Sequence, residues 1–434
     1  MKKITNRALS VLLIAAMVIF GMGIYILNYI DHGKEWALYF SRSNSDSTGQ
    51  LLDRNGIVLA YFSGEENCFS PDELTRKANY HVTGDYWDRT GTGILSRYWS
   101  DSQGFSLLTG TTRREDSMLT LSIDARLNNK IYNTIGSETD GAMLVCNYRT
   151  GELLGMVSSP SVDPMNIDEE LRDGSYINRC ISASFIPGSI FKLITAAAAI
   201  ENIPDLSSQK FYCEAEYKIA GVPITCIAEH WNQSFEQALS NSCNVAFAQI
   251  AVKLGQDTMI DYVRDYGMLD SHELSGISTA RGSYPLDFIG DPELAWSGIG
   301  QSTDLICPYS MLRLVCAIAN GGTVIEPYMI QGEKPVENEL MNPATAAKLS
   351  EIMSFTAVDH YAAEELFPGL NIAAKTGTAE LGDGEAHSWF VGFLQDEEHP
   401  YAFVTLVERG GFGITAAGGV TAEVLQWAVE NLES

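Results

Sequence analysis

The chain has 434 residues, 45% of them hydrophobic and 19% charged, with 55 acidic against 28 basic side chains and a formal charge of −27. That length supports a large core and more than one domain. The acidic balance excludes nucleic acid and anionic membrane surfaces as partners, since both need a cationic face, and most of these charges read as a solvated surface.

Lys2, Lys3 and Arg7 precede an uncharged apolar run from Ala8 to Ile30. A helix needs about 20 such residues to span a bilayer. No small-x-small cleavage site follows in Asp31-His-Gly-Lys-Glu-Trp36, so residues 8–30 are expected to form an uncleaved transmembrane anchor. The basic residues place a short tail (1–7) in the cytoplasm and everything after Asp31 outside, giving a single-pass protein with an extracytoplasmic body. A linker (31–49) ends in the serine-rich Ser41–Gly49, a polar tether.

Residues 50–118 hold short strand-like runs broken by turns, with Asn55-Gly56 between apolar flanks as a hairpin signal. No catalytic cluster occurs there, and the segment is expected to be a small β-rich pedestal. Beyond it, Leu119–Ile123 alternates as a strand and a helix runs on to about Gly136. Gly141–Tyr148 and Glu152–Ser158 flank a turn at Arg149-Thr-Gly151, a hairpin with a well-buried strand. From about 180 to 325 the pattern is helical, including Phe235–Leu254 and Tyr309–Asn320. Strands return at Ile372–Lys375, Ser388–Phe393 and Tyr401–Val407, and a last helix covers about Thr421–Leu432. Strands from both ends of residues 119–434 around a helical block imply an α+β fold whose sheet packs against helices.

Eight cysteines are spread through the body. Cys146, Cys180, Cys307 and Cys316 lie in apolar runs, where a buried thiol is the default. Cys213 and Cys226 flank a hairpin with Gly221-Val-Pro at its turn, so a local disulfide and free thiols are both open. A zinc set drawn from Cys213, Cys226 and His230 is one ligand short and lacks close cysteine pairing, so no metal is expected.

Three short motifs carry chemistry. In Phe185-Ile-Pro-Gly-Ser-Ile-Phe-Lys192, Pro187 and Gly188 mark a turn before good helix formers, which puts Ser189 near a helix's first turn and Lys192 on the same face. A serine hydroxyl needs a base to become a nucleophile, and the apolar flanks offer the desolvation that frees a lysine amine for that work. Ser207-Ser-Gln-Lys210 has the same spacing in an ordinary loop, so the motif alone decides nothing. Ser242-Cys-Asn244 precedes a helix, where capping is the plain alternative. Lys375-Thr-Gly-Thr378 ends an apolar strand, and Gly377 there permits close approach of a ligand backbone.

Taken together and in this order, the motifs are far more specific than any one of them. The chain resembles the class B-type, monofunctional penicillin-binding proteins, the D,D-transpeptidases that crosslink peptidoglycan. The resemblance runs from about Leu51 almost to the C-terminus and includes Asp53-Arg-Asn-Gly56, Gly151–Pro160, Asn178-Arg179, Gly298-Ile-Gly-Gln301, Ala319–Gly322 and His387–Phe393. It implies a serine penicillin-recognising fold with a central antiparallel sheet and a helical block. It also implies that Ser189 attacks the penultimate D-Ala carbonyl of a stem peptide ending in D-Ala-D-Ala, with Lys192 taking the proton. Ser242 would relay a proton to the leaving amine and Asn244 would hold a substrate amide. Lys375, Thr376, Gly377 and Thr378 would bind the terminal carboxylate, and the backbone N–H groups of Ser189 and Thr378 would form the oxyanion hole. β-Lactams are expected to acylate the same serine, and no cofactor is implied. The short pedestal and Cys243 at the variable position depart from many relatives.

A β-lactam-hydrolysing or β-lactam-sensing membrane protein could carry the same motifs, but the sequence shows no dedicated deacylating base. A scaffold with a dead site would be free to lose Ser189 or Lys192, and both are present. Only about 90 residues separate anchor from transpeptidase region, below the roughly 100–150 of a typical domain. A separate membrane glycosyltransferase is therefore the expected partner.

Overall fold

The computed structural model describes residues 2–41, 49–62, 68–85, 87–98, 104–106, 110–112, 118–167, 171–285, 287 and 290–432. Helix α1 (Lys2–Ser41) contains a stretch, Lys3–Gly33, long and apolar enough to cross a membrane, and its apolar window is not buried against other residues. The helix continues past Ile30 into the region expected as linker; the centre of the tether, 42–48, lies outside the described residues.

Strands β1 (Gln50–Leu52) and β2 (Val58–Tyr61) form the expected hairpin, with Gly56 at φ 81° in the turn. Asp53 tightens that turn, its buried carboxylate accepting from the N–H groups of Asn55 and Ile57 at 2.9 and 2.7 Å. β1 also pairs, in parallel, with β3 (Met118–Thr120). The segment is not all strand. Ser70-Pro-Asp-Glu73 opens helix α2 (Glu73–Thr83), whose N-cap Asp72 accepts from Thr75 N–H. Asn79 on α2 meets Asn128 on α3 (Ala125–Ile135) at 2.8 Å, and Arg76 pairs with Asp163 at 2.7 Å, which fastens α2 to the main body.

The main sheet has five antiparallel strands in the order β8-β9-β10-β4-β5. These are β4 (Gly141–Asn147), β5 (Leu153–Ser159), β8 (Ile372–Glu380), β9 (Ala386–Leu394) and β10 (Tyr401–Val407). Their two-residue period explains why the sheet sits between two cores. Met143 and Val145 of β4 pack with Leu127, Ile131 and Ile135 of α3 and with Val424 and Leu425 of α8 (Gly419–Asn431). Ala142, Leu144 and Cys146 face the other way, into the helical block. Each fully buried Leu or Ile on these faces contributes about 1.5–3 kcal/mol.

The helical block includes α4 (Lys192–Asn202), α5 (Asn244–Leu254), α6 (Pro308–Ala319) and α7 (Pro343–His360). Between α4 and α5 stands the two-stranded ribbon β6 (Phe211–Ile219) and β7 (Val222–Gln233). The expected helix over Phe235–Leu254 is broken: Phe235–Ser240 ends, and α5 begins at Asn244. The Ser-Asn-Ser-Cys-Asn run favours local side-chain capping over helix continuation, and Ser242 takes φ 53° in the gap.

Candidate active site

Three elements deliver the site. The first is the 3-10 turn Gly188–Phe191 leading into α4, which places Ser189 one turn before Lys192. Gly188 has φ 57°, and a Cβ there would lie 2.6 Å from the Thr378 carbonyl oxygen. Only glycine lets this turn press so closely on β8, the sheet's edge strand. The second is the break before α5, which carries Ser242 and Asn244. The third is β8 itself, with Lys375.

Side-chain contacts join five of the expected residues. Lys192 Nζ lies 3.1 Å from Ser189 Oγ, 2.7 Å from Asn244 Oδ1 and 3.3 Å from Ser242 Oγ, and donates to the Ser242 carbonyl at 2.6 Å. Lys375 Nζ donates to Ser242 Oγ at 2.9 Å and to the Thr376 carbonyl at 3.1 Å. Ser242 Oγ thus bridges two amines. Its left-handed backbone costs about 1–2 kcal/mol in an L-residue. That cost brings both its hydroxyl and its carbonyl to Lys192.

Neither lysine is solvated: Lys192 is 0% and Lys375 1% exposed. Burial lowers the Lys192 ammonium from 10.5 to about 8, opposed by the nearby sulfurs of Cys226 and Cys243. Lys375 is held well below its ordinary value, chiefly by burial and then by the charge of Lys192. Two ammonium groups sharing one hydroxyl in a dry site repel each other, so the pair keeps both protons only at a large cost.

The other expected residues are placed differently. Asn244 already has both ends of its amide engaged, Oδ1 by Lys192 and Nδ2 donating to the Thr225 carbonyl at 3.0 Å. In this state it positions Lys192. Thr376 and Thr378 are half-buried. The Thr376 hydroxyl meets Tyr361 Oη at 3.0 Å, and Thr378 Oγ1 accepts from the Gly413 N–H at 3.3 Å. Gly377 permits contact: a Cβ there would sit 2.9 Å from the Pro187 carbonyl and 3.0 Å from Ile190.

Several positioning residues were not given a role by sequence reasoning. Gln301 Nε2 donates to the Thr378 carbonyl at 2.9 Å, and the Gly188 N–H donates to the Gly300 carbonyl at 2.9 Å. Trp389 is fully buried and donates its indole N–H to the Ile186 carbonyl at 3.0 Å, fastening β9 to the serine's turn. A glutamine after two glycines was the available signal for Gln301, but its reach to β8 is a long-range fact.

All eight cysteines are free, so Cys213 and Cys226 form no disulfide here. The zinc set judged one ligand short gains a fourth donor. Cys243, the middle residue of the second motif, joins Cys213, Cys226 and His230 with all four donor atoms within 4.8 Å of one another.

Residues 141–427 match the family described as penicillin binding protein transpeptidase domain. The chain is 28% identical over 331 residues to the peptidoglycan D,D-transpeptidase PbpA of Mycobacterium tuberculosis, covering 67% of this chain and 66% of the relative, just under two thirds. It is 24% identical over 326 residues to the peptidoglycan D,D-transpeptidase FtsI of Escherichia coli, covering 70% of this chain and 54% of that one. Among solved structures, a ceftriaxone acyl-enzyme complex of penicillin-binding protein A from M. tuberculosis superimposes with TM-score 0.74 at 23% identity, over 90% of this chain and 99% of that one. Pseudomonas aeruginosa PBP2 gives TM-score 0.75 at 23% identity, over 89% and 97%. These structures establish the shared fold.

Proposed function

The chain belongs to the penicillin-binding protein transpeptidase family, and on that premise we propose that it is a serine D,D-transpeptidase that crosslinks peptidoglycan stem peptides and is acylated by β-lactams. The observation that carries the reading is the buried Lys192 amine, 3.1 Å from Ser189 Oγ and lowered to about 8. A nucleophile with a largely desolvated base beside it is what acyl transfer needs at neutral pH.

In the proposed cycle, neutral Lys192 accepts the Ser189 proton as Oγ attacks the penultimate D-Ala carbonyl. Backbone N–H groups of Ser189 and Thr378 hold the oxyanion, each such donor being worth about 3–4 kcal/mol. The proton then passes from Lys192 through the Ser242 hydroxyl to the departing D-Ala amine, so the C–N bond breaks without expelling an anion. An acceptor amine enters, loses a proton along the same route in reverse, and takes the acyl group from Ser189. Lys375, with Thr376 and Thr378 at the edge of β8, receives the terminal carboxylate.

The proposed organisation is a cytoplasmic tail (1–7), a transmembrane anchor (8–30), a linker (31–49), a pedestal (50–118) and an extracytoplasmic transpeptidase region (119–434). Lys2, Lys3 and Arg7 support that orientation. A separate membrane glycosyltransferase supplies the glycan strands. The test is a product assay with a stem-peptide donor and an added acceptor amine. Crosslinked product and released D-Ala are expected, both lost in Ser189→Ala. Hydrolysed donor as the sole product would refute crosslinking in favour of a hydrolase.

A further inference from the structure

We infer that Cys213, Cys226, His230 and Cys243 form a structural zinc site that staples the β6–β7 ribbon to the start of α5. Tetrahedral zinc with sulfur at about 2.3 Å and nitrogen at about 2.0–2.1 Å sets the donors roughly 3.5–3.8 Å apart. Here Cys226 Sγ lies 4.0 Å from Cys243 Sγ and 3.6 Å from His230 Nδ1, and all four donors fall within 4.8 Å. The two Cys226 distances need a contraction of a few tenths of an ångström at most, and the widest pair in the set one of no more than about 1 Å.

The backbone is shaped to bring these side chains together. The ribbon's register breaks between Cys213 and Glu214 and again between Glu214 and Glu216, leaving His230 and the Cys226 stretch as the extra residues. Ala215 and Trp231 take φ 64° and 50° at those breaks. Such conformations persist where the surroundings over-determine them, and a metal would do so. The ribbon is otherwise mostly exposed, and a two-stranded hairpin with so little core is marginal on its own. Backbone N–H groups of Ala246, Ala228 and Asn244 reach the cysteine sulfurs, the first at 3.4 Å from Cys243, as donors do around metal-bound thiolates.

Three sulfurs and one imidazole suit zinc, and the four donors close the coordination shell, so the ion is structural. On binding, the thiol protons leave to solvent as the metal–sulfur bonds form. The consequence reaches the site, because Cys243 stands between Ser242 and Asn244 and Thr225 on β7 accepts from Asn244. Holding Cys243 fixes Ser242 in its left-handed turn. That consequence rests on the proposed transpeptidase reading; the metal site does not.

The full-length protein, purified in detergent without chelator, is measured for metal by plasma mass spectrometry. About one zinc per chain is expected. Cys226→Ser and the half-buried His230→Ala should lower bound zinc to background, His230→Cys should keep it, and Cys68→Ser, which is not one of the four clustered donors, should leave it unchanged. Cobalt substitution should give the intense visible bands of a tetrahedral thiolate centre, absent in Cys226→Ser. Metal-free protein as isolated, a disulfide among these cysteines, or zinc equal in wild type and both ligand variants would overturn the site. Removing zinc should slow acylation by fluorescent penicillin roughly a hundredfold, as a misplaced group of about 1 Å does, with recovery on adding zinc back. Full acylation without metal would overturn the positioning role and leave the metal content to stand by itself.

Discussion

Lys192 sets the pH at which this site can work. An amine at 10.5 is neutral at pH 7 in about three molecules in ten thousand, and one at about 8 in roughly one in eleven. Burial therefore enlarges the pool of competent base about 300-fold, on the order of 3 kcal/mol. Acylation of the full-length protein by subsaturating fluorescent penicillin should rise about tenfold per pH unit and level off above about pH 8. Lys192→Arg keeps a cation but cannot give up its proton, and should lose acylation at every pH. The same burial has a stability consequence of definite sign. Between about 8 and 10.5 the unfolded lysine holds a proton that the folded one has lost, so this group's contribution to stability rises with pH across that window, and below about 8 the full penalty stands. A flat acylation profile from about pH 6 to 9, or normal acylation by Lys192→Arg, would refute the assignment of the base.

Gly188→Ala forces an L-residue to φ 57° and sets a Cβ 2.6 Å from the Thr378 carbonyl, so calorimetry should show at least the backbone strain, about 1–2 kcal/mol, with acylation falling further than stability. Asp304 is fully buried, and burial raises its carboxyl well above 3.8. Its contribution is present below that value and lost as pH rises through the folded pKa, so Asp304→Asn should be more stable than wild type at neutral pH and lose that advantage in acid; equal melting points at neutral pH would contradict this. Protease added outside spheroplasts should digest the body and spare only the anchor, whereas protection of the whole chain would reverse the proposed orientation.

The legible parts of this chain were those specified locally. The β4–β5 hairpin declared itself through two apolar runs around Arg149-Thr-Gly151, and Tyr401–Val407 is a strand over the residues its composition suggested. The Ser189–Lys192 pairing follows from helical spacing, and order along the chain linked it to Ser242 and Lys375. Other features had local signals that went unused. Ser70-Pro-Asp-Glu73 announces α2, and Asn342-Pro343 announces the 18-residue α7, whose end delivers Tyr361 to Thr376. What could not be read was contact between distant elements. The contacts of Gln301 with β8, of Trp389 with the serine's turn and of Cys243 with the ribbon each depend on how the sheet, ribbon and helices dock. The sequence offered Cys213, Cys226 and His230 with no fourth ligand and no close cysteine pair, and only the docking of the ribbon against α5 brings in Cys243.

The two buried amines also suggest how substrate could prepare its own attack. Lys192 and Lys375 both contact Ser242 Oγ, at 3.3 and 2.9 Å, and the charge on one lowers the proton affinity of the other. A ligand carboxylate docking against Lys375 supplies the missing countercharge and favours its protonation. A charged Lys375 then makes a second charge on Lys192 more costly, so Lys192 gives up its proton more readily, with Ser242 lying on the path between them. The anionic end of the donor would thereby unmask the base at its other end. This differs from a purely anchoring role for the carboxylate, which would change affinity and leave the base alone. The two are separated by the saturating acylation rate of a penicillin and of its carboxylate methyl ester, each followed against pH. Unmasking requires the free acid's profile to lie at lower pH than the ester's, whose midpoint should stay near the free protein's value of about 8. Coincident profiles differing in affinity alone would reduce Lys375 to an anchor.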